Sequence, residues 1–138
     1  MTSSQIVLDA LNATATGDTK RITELYAEDC TGWTAGTAIG SRDELLSEAE
    51  GRGEGLSDIT MEASPIELPD GSVVAEWRMT AVHTGTLFLD DDLSLPATHR
   101  PLDLRGAMFA EIQDGQIQNF RQYWDEADLL EQLGLLGE

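Results

Sequence analysis

Lysine is almost absent from this chain. Lys20 is the only one in 138 residues, and all the bases together number 8 against 26 acids, a formal net charge of −18. Such a surface repels phosphate backbones, which excludes nucleic acid as a partner. Anionic membrane surfaces are excluded on the same ground. Cysteine is equally scarce: Cys30 stands alone, so no internal disulfide and no cysteine-built metal cluster is available. No stretch approaches the roughly 20 apolar residues of a membrane span. The first residues, Met1-Thr2-Ser3-Ser4-Gln5, carry no basic region ahead of an apolar run, so a secretory signal is not expected and the expected location is cytoplasmic. An acidic surface stripped of lysine suits a halophilic setting, where concentrated salt screens the self-repulsion. The plainer reading of the same charge is solvated surface.

What is present is ordinary for a soluble globule. Hydrophobic residues make up 41% and aromatics 6%, and at this length roughly two-thirds of the unfolded surface is buried on folding, enough for one core. No repeat, low-complexity tract or linker interrupts the sequence, so residues 1–138 read as a single domain.

The first half reads as helical. Ile6, Val7, Leu8, Leu11 and Ala15 fall near one helical face, and Gly17 ends that segment. Asp18 is placed to cap a second short helix carrying Ile22, Leu25 and Tyr26. Ser41 and Glu44 have the spacing of a capping box for a third helix through Leu45 and Leu46. That helix is expected to fray into a mobile turn at Gly51-Arg52-Gly53-Glu54-Gly55.

The second half reads as strands. Residues 58–68 and 72–84 flank Pro69-Asp70-Gly71, a three-residue hairpin loop with glycine in the left-handed position. Pairing Leu68 with Ser72 sets Met61 opposite Met79, Ala63 opposite Trp77, and Glu62 opposite Arg78. Apolar pairs then share one face and an ion pair lies on the other. Residues 101–113 and 116–125 flank Asp114-Gly115, the strongest hairpin signal in the chain. A loop rich in Asp and Pro, 86–100, joins the two hairpins. Helices followed by antiparallel strands indicate an α+β domain, which a curved antiparallel sheet with the N-terminal helices closing its concave face would fit.

Strict alternation across the second hairpin has a consequence. If Gln113 pairs with Gln116, Ala110 faces Asn119, Met108 faces Arg121, Gly106 faces Tyr123 and Leu104 faces Asp125. The apolar row of 101–113 would turn toward the helices, so Asn119, Arg121, Tyr123 and Asp125 would share the inner face. Burying such groups bare costs about 1–3 kcal/mol each, so an open, wetted cavity is expected there, with Gly106 leaving room beside Tyr123. His83 closes the apolar row Val73, Ala75, Trp77, Met79, Ala81 of the preceding strand. It reads either as a satisfied core histidine or as a pocket acid/base. Asp125 reads either as the cap of a final helix at 126–130 or as a pocket carboxylate. Arg121 most simply pairs with a carboxylate such as Asp125. Trp33 and Trp77 read as core or as ligand platforms.

Other chemistries lack their motifs. His83 and His99 have no carboxylate at metal-ligand spacing, so no metal site is expected. A phosphate loop, a dinucleotide fingerprint and a nucleophile elbow are all missing. Asp90-Asp91-Asp92 lacks the alternate spacing of a calcium loop and reads as a solvated tip.

Two stretches carry a family resemblance. His83-Thr84-Gly85-Thr86, Pro96-Ala97-Thr98-His99-Arg100 and Gly106 look like the HxGxxx…PTGR…G segment of SnoaL-like polyketide cyclases. Asp114-Gly115-Gln116-Ile117, Trp124-Asp125 and Leu129-Leu130-Glu131-Gln132-Leu133-Gly134 resemble that family's DGKI…D…LLxQLG ending. The resemblance implies the nuclear-transport-factor-2-like cone, a strongly curved antiparallel sheet wrapped around a pocket closed by the N-terminal helices, assembled as a homodimer or higher homo-oligomer through the sheet's outer face. It also implies ring closure or a related proton transfer on a small hydrophobic or carbonyl-bearing compound, with no metal or cofactor. Asp125 matches the catalytic acid/base and His83 the strand histidine of the pocket. Trp33, Trp77, Met79, Met108, Asn119, Arg121 and Tyr123 would bind the substrate. Trp33 stands where many members carry histidine, and Arg121 where many carry an aromatic residue; an arginine there would favour an anionic or carbonyl-bearing ligand. A non-catalytic small-molecule binder and a dimeric scaffold are the alternatives on the same fold.

Overall fold

The computed structural model describes residues 1–35, 37–88 and 94–135. Three helices open the chain, interrupted by two strands: α1 (Ser3–Thr16), α2 (Thr19–Leu25), β1 (Tyr26–Thr34), β2 (Thr37–Ile39) and α3 (Arg42–Gly55). The strands β3 (Leu56–Glu67), β4 (Val73–His83), β5 (Leu87–Phe88), β6 (Ser94–Leu95), β7 (Pro101–Gln113) and β8 (Gln116–Trp124) follow, and α4 (Glu126–Gln132) ends the described chain.

The helix ends follow their sequence signals. Gly17 closes α1 at φ 75, Asp18 accepts from the Arg21 N–H, and Ser41 accepts from the Glu44 N–H. The Glu44 carboxylate reaches back to the Gly40 N–H at 2.7 Å, one residue earlier than a standard capping box. Tyr26, expected in α2, instead begins β1.

The expected mobile turn at 51–55 is helix. Its glycines serve close packing: a Cβ on Gly53 would lie 3.1 Å from the Thr16 carbonyl oxygen, and one on Gly55 would lie 2.9 Å from the Leu87 Cα. Arg52 secures this last part of α3 by donating to the Thr14 carbonyl at 2.9 Å and pairing with Glu48 at 3.0 Å. Tertiary contact here outweighs the poor helix propensity of glycine.

The main sheet has the order β2-β1-β8-β7-β4-β3. It is antiparallel except that β1 runs parallel to β8. The sheet curves around its helices without closing, and the core between them is formed by buried side chains such as Val7, Leu11, Ile22, Met108, Ile117 and Phe120. The β3–β4 hairpin has the expected register: Met61 faces Met79, Ala63 faces Trp77, and Glu62 faces Arg78. The Arg78 guanidinium, however, turns to β7 and grips Asp103 with two bonds of 2.8 and 2.7 Å. A bidentate fork onto one carboxylate is geometrically better than the single cross-strand contact expected with Glu62.

The β7–β8 hairpin departs from the expected register. Asp114 and Gly115 make the turn with φ of 54 and 79, and Gln113–Gln116 and Ile112–Ile117 pair as expected. Gln118 then bulges out, so Glu111 pairs with Asn119 and Ala110 with Phe120. Its amide donates to Asp29 at 3.0 Å. One extra residue exchanges the two faces of a strand. Phe120, Gln122 and Trp124 therefore turn inward, while Asn119, Arg121 and Tyr123 turn outward. The exchange buries Phe120 to 2% exposure, edge-on to Tyr26 at 5.5 Å. It also spares the core an arginine and an asparagine.

The linking segment 86–100 contains the short β5–β6 ladder, Leu87 with Leu95 and Phe88 with Ser94. The acidic tip 90–92 lies outside the described residues. Finally, α4 folds back over the part of β7 that β8 does not reach. The Gln132 side chain bonds the backbone N–H and C=O of Asp103 at 2.8 and 2.9 Å, standing in for a strand neighbour.

Candidate active site

The inner face of the sheet and the ends of the helices line a cavity that opens to solvent and shields about 80 Å³ within it. Strict alternation on β4 sends Trp77 and Met79 into it, with Met61 from β3 and Leu102 and Leu104 from β7 beside them. The polar part of the wall comes from other elements: Thr34 from β1, Glu48 and Arg52 from α3, Gln122 from β8 and Glu126 from α4. An apolar enclosure with a few convergent polar groups is the usual form of a small-molecule site.

Each polar group has a distinct state. Glu48 accepts from Arg52 at 3.0 Å, and both side chains are largely shielded. Two N–H groups of Arg52 are spent, on Glu48 and on the Thr14 carbonyl, leaving three of the five donors a guanidinium carries. The Trp124 indole N–H donates to the Thr34 hydroxyl at 3.3 Å, fixing the end of β8 against β1. Trp77, a wall residue only 6% exposed, has a buried indole N–H with no acceptor among the described residues. Such an orphan donor costs about 1–3 kcal/mol. Glu126 and Gln122 make no side-chain hydrogen bond among the described residues.

The sequence-derived site residues divide into three groups. Trp77 and Met79 line the cavity as expected. Met108 points inward but is fully buried in the core beneath the wall. The second group lies elsewhere: Asn119, Arg121 and Tyr123 are on the outer face of the sheet, carried there by the Gln118 bulge, and Trp33 of β1 lies beside Arg121 on the same face. Trp33 packs on Tyr123 at 5.2 Å, Phe109 meets Tyr123 edge-on at 6.2 Å, and the Arg121 guanidinium sits 5.7 Å over Phe109. Arg121 donates to Asn119 at 2.9 Å and approaches Glu111 at 4.0 Å; the expected pairing with Asp125 is not made. Gly106 makes room for the Trp77 ring, where a Cβ would collide, and pairs with Trp124, not with Tyr123.

Asp125 and His83 form the third group. Asp125 is exposed, and its carboxylate accepts from the Asp128 N–H at 3.2 Å as the N-cap of α4. His83 is 0% exposed and clamps the segment before β7. Its Nδ1 accepts from the Thr98 N–H at 3.2 Å and lies 3.0 Å from the Thr98 hydroxyl, which places the ring proton on Nε2, 3.2 Å from the Leu95 carbonyl. Neither residue is on the cavity wall.

Sequence reasoning missed Glu48, Arg52, Gln122 and Glu126. For Gln122 a signal was available, because Ile117, Phe120 and Trp124 are out of phase with strict alternation and announce a bulge. Arg52 and Glu48 are four apart on α3, a spacing that places them on one helix face, but the surrounding glycines obscured the helix. Cys30 and Tyr26, both in β1, lie in the core, where burial pushes the thiol and the phenol above their usual ranges, so both stay neutral. Among the described residues no three His, Cys, Asp or Glu side chains gather in a metal-holding group.

The cavity, the six-stranded curved sheet and the covering helices can be compared with known proteins. The family model described as SnoaL-like polyketide cyclase matches residues 5–133. The chain belongs to that family. Among solved structures, a candidate SnoaL-like polyketide cyclase from Jannaschia sp. CCS1 is 13% identical, with a TM-score of 0.80 over 99% of this chain and 93% of that one. TsrD from Streptomyces laurentii is 16% identical, with a TM-score of 0.79 over 96% and 94%. AclR from Streptomyces galilaeus, a candidate hydroxylase, is 19% identical, with a TM-score of 0.79 over 98% and 97%. At these identities the likeness shows the fold alone. No curated protein matches the sequence. No helix among the described residues is long and apolar enough to cross a membrane.

Proposed function

We propose that this SnoaL-like chain is an enzyme that moves a proton next to the carbonyl of a compact, neutral, hydrophobic compound, using side chains alone. One observation carries the reading: carboxylates and a guanidinium with unspent donors are set beside tryptophan, methionine and leucine walls in the inner cavity. A carboxylate supplies a base, unspent N–H groups of Arg52 polarise a carbonyl oxygen, and the tryptophan and methionine walls hold a planar body. Two carboxylates against one guanidinium, within a chain of net charge −18, favour neutral ligands over anions.

The test uses 2-indanone, a compact neutral ketone. Its α-protons are followed by proton NMR in D2O with and without protein. Exchange faster than that given by an equal concentration of acetate supports the reading, and a rate no higher than with acetate contradicts it.

A second reading, a non-catalytic small-molecule carrier, is favoured by a specific observation. Of the residues that the family resemblance makes catalytic, His83 spends both ring nitrogens on nearby backbone groups, and Asp125 caps α4 from an exposed position off the cavity wall. Saturation transfer from protein to 2-indanone without accelerated exchange is the outcome that reading expects. We also propose that two copies associate through the outer face around Phe109 and Tyr123, which are 37% and 46% exposed. Sedimentation of Phe109→Asp as a monomer beside a dimeric wild type would support this, and an unchanged mass would oppose it.

A further inference from the structure

We infer that Glu126 is the carboxylate that moves the proton in the inner cavity and that its neighbour Asp125 is a positioning residue; this rests on the proton-transfer reading above.

Geometry separates the two adjacent acids. Asp125 precedes the helix, with φ −98 and ψ 104, and its side chain turns back over the first turn of α4 to accept from Asp128. Glu126 is the first helical residue, and three positions on is Leu129, which is 2% exposed and anchored in the core. Residues three apart share a helix face, so the anchoring of Leu129 turns Glu126 inward, where it forms part of the cavity wall together with Trp124 and Leu129.

Occupancy points the same way. The Glu126 carboxylate has no hydrogen bond or ion pair among the described residues, so its oxygens are free to meet a ligand. The other wall carboxylate, Glu48, is held by Arg52 at 3.0 Å. Asp125 has one oxygen committed to the helix and the rest of the group in solvent. A base must reach the proton it removes, and Glu126 meets that requirement with an uncommitted group. The cap on α4 is what holds it there: releasing the Asp128 N–H would loosen the turn that aims Glu126.

The step is balanced without any further reactant. The ionised Glu126 carboxylate takes the α-proton of the ketone, the C–H electron pair becomes the enolate double bond, and the carbonyl oxygen takes the negative charge. After the carboxyl exchanges with D2O, a deuteron returns to the α-carbon and the carbonyl is restored.

The exchange of 2-indanone is therefore measured for wild type, Glu126→Gln, Asp125→Ser and Asp125→Ala, with circular dichroism confirming that each is folded. Glu126→Gln is expected to lose about 100-fold or more, the contribution typical of a general base. Serine caps a helix about as well as aspartate, so Asp125→Ser is expected within about threefold of wild type, while Asp125→Ala falls below it. A large loss in Asp125→Ser with Glu126→Gln still active would overturn the inference and restore Asp125 as the base. Full activity in both would also overturn it and leave proton transfer to another wall group. A wild type no faster than acetate would instead remove the proton-transfer reading on which the inference stands.

Discussion

Replacing Phe120 and Tyr123 separately, each by alanine, tests the bulge that decides which face of β8 meets the cavity. Phe120 is 2% exposed, lies edge-on to Tyr26 at 5.5 Å, and covers Gly32 so closely that a Cβ there would strike its ring. Removing a buried phenylalanine costs about 3–5 kcal/mol through lost transfer energy and the cavity left behind. The aromatic contact accounts for about 0.5–1.5 kcal/mol beyond simple area burial. Tyr123 is 46% exposed on the opposite face. Its loss removes only the contacts with Trp33 and Phe109, together on the order of 1 kcal/mol. Urea unfolding followed by far-UV circular dichroism gives both values on one scale. Phe120→Ala should lower stability by at least about 2 kcal/mol more than Tyr123→Ala, with little change in slope. Equal costs, or a larger one for Tyr123→Ala, would refute the bulged register and return Asn119, Arg121 and Tyr123 to the inner face.

Other outcomes follow from the same coordinates. Cys30 is fully buried and its thiol is pushed up by burial, so a thiol reagent should label it only on unfolding; prompt labelling of the native chain would contradict its placement. Arg78 holds the Asp103 carboxyl below the usual carboxylate value. A lowered folded-state value stabilises above the unfolded one and is lost as pH falls through it. Asp103→Asn should therefore destabilise near neutral pH and approach wild type as the pH falls through the lowered Asp103 value; a penalty independent of pH would show that the pair is not its source. The surplus of acids predicts a melting midpoint that rises between low and molar salt, and an unchanged midpoint would remove the argument for a salt-adapted surface.

How much was legible in the sequence depended on whether local chemistry or tertiary contact decided each element. The 69–71 loop, with Gly71 at φ 89, set the β3–β4 register residue by residue. The caps at Gly17, Asp18 and Ser41 were equally readable because their partners lie within a few residues. The end of α3 was not, because Gly53 and Gly55 are explained by α1 and β5, which approach them from distant parts of the chain. Strand β1 was hidden for a related reason. Residues 27–30 lie between its pairings to β8, Tyr26 with Ile117 and Thr31 with Asn119, and break any alternation.

The same division holds for the site. Trp77 and Met79 were found because β4 alternates without interruption. One bulged residue, Gln118, moved three expected ligand residues to the other side of the sheet, Asn119, Arg121 and Tyr123; Trp33 meets them there from β1. The bulge itself was foreshadowed by Ile117 and Phe120, three apart where alternation on one face requires an even spacing. Glu126 was obscured by Asp125, since adjacent acids at a helix start cannot be told apart until the helix is anchored, and Leu129 does the anchoring.

The most direct test of the inner cavity as the site is saturation transfer from the protein to 2-indanone, compared between Met79→Trp and Arg121→Ala. Met79→Trp fills the space between β4 and the helices and should abolish the signal, while Arg121→Ala on the outer face should leave it at the wild-type level. Loss of the signal in Arg121→Ala with Met79→Trp unaffected would place the ligand on the outer face and contradict the account.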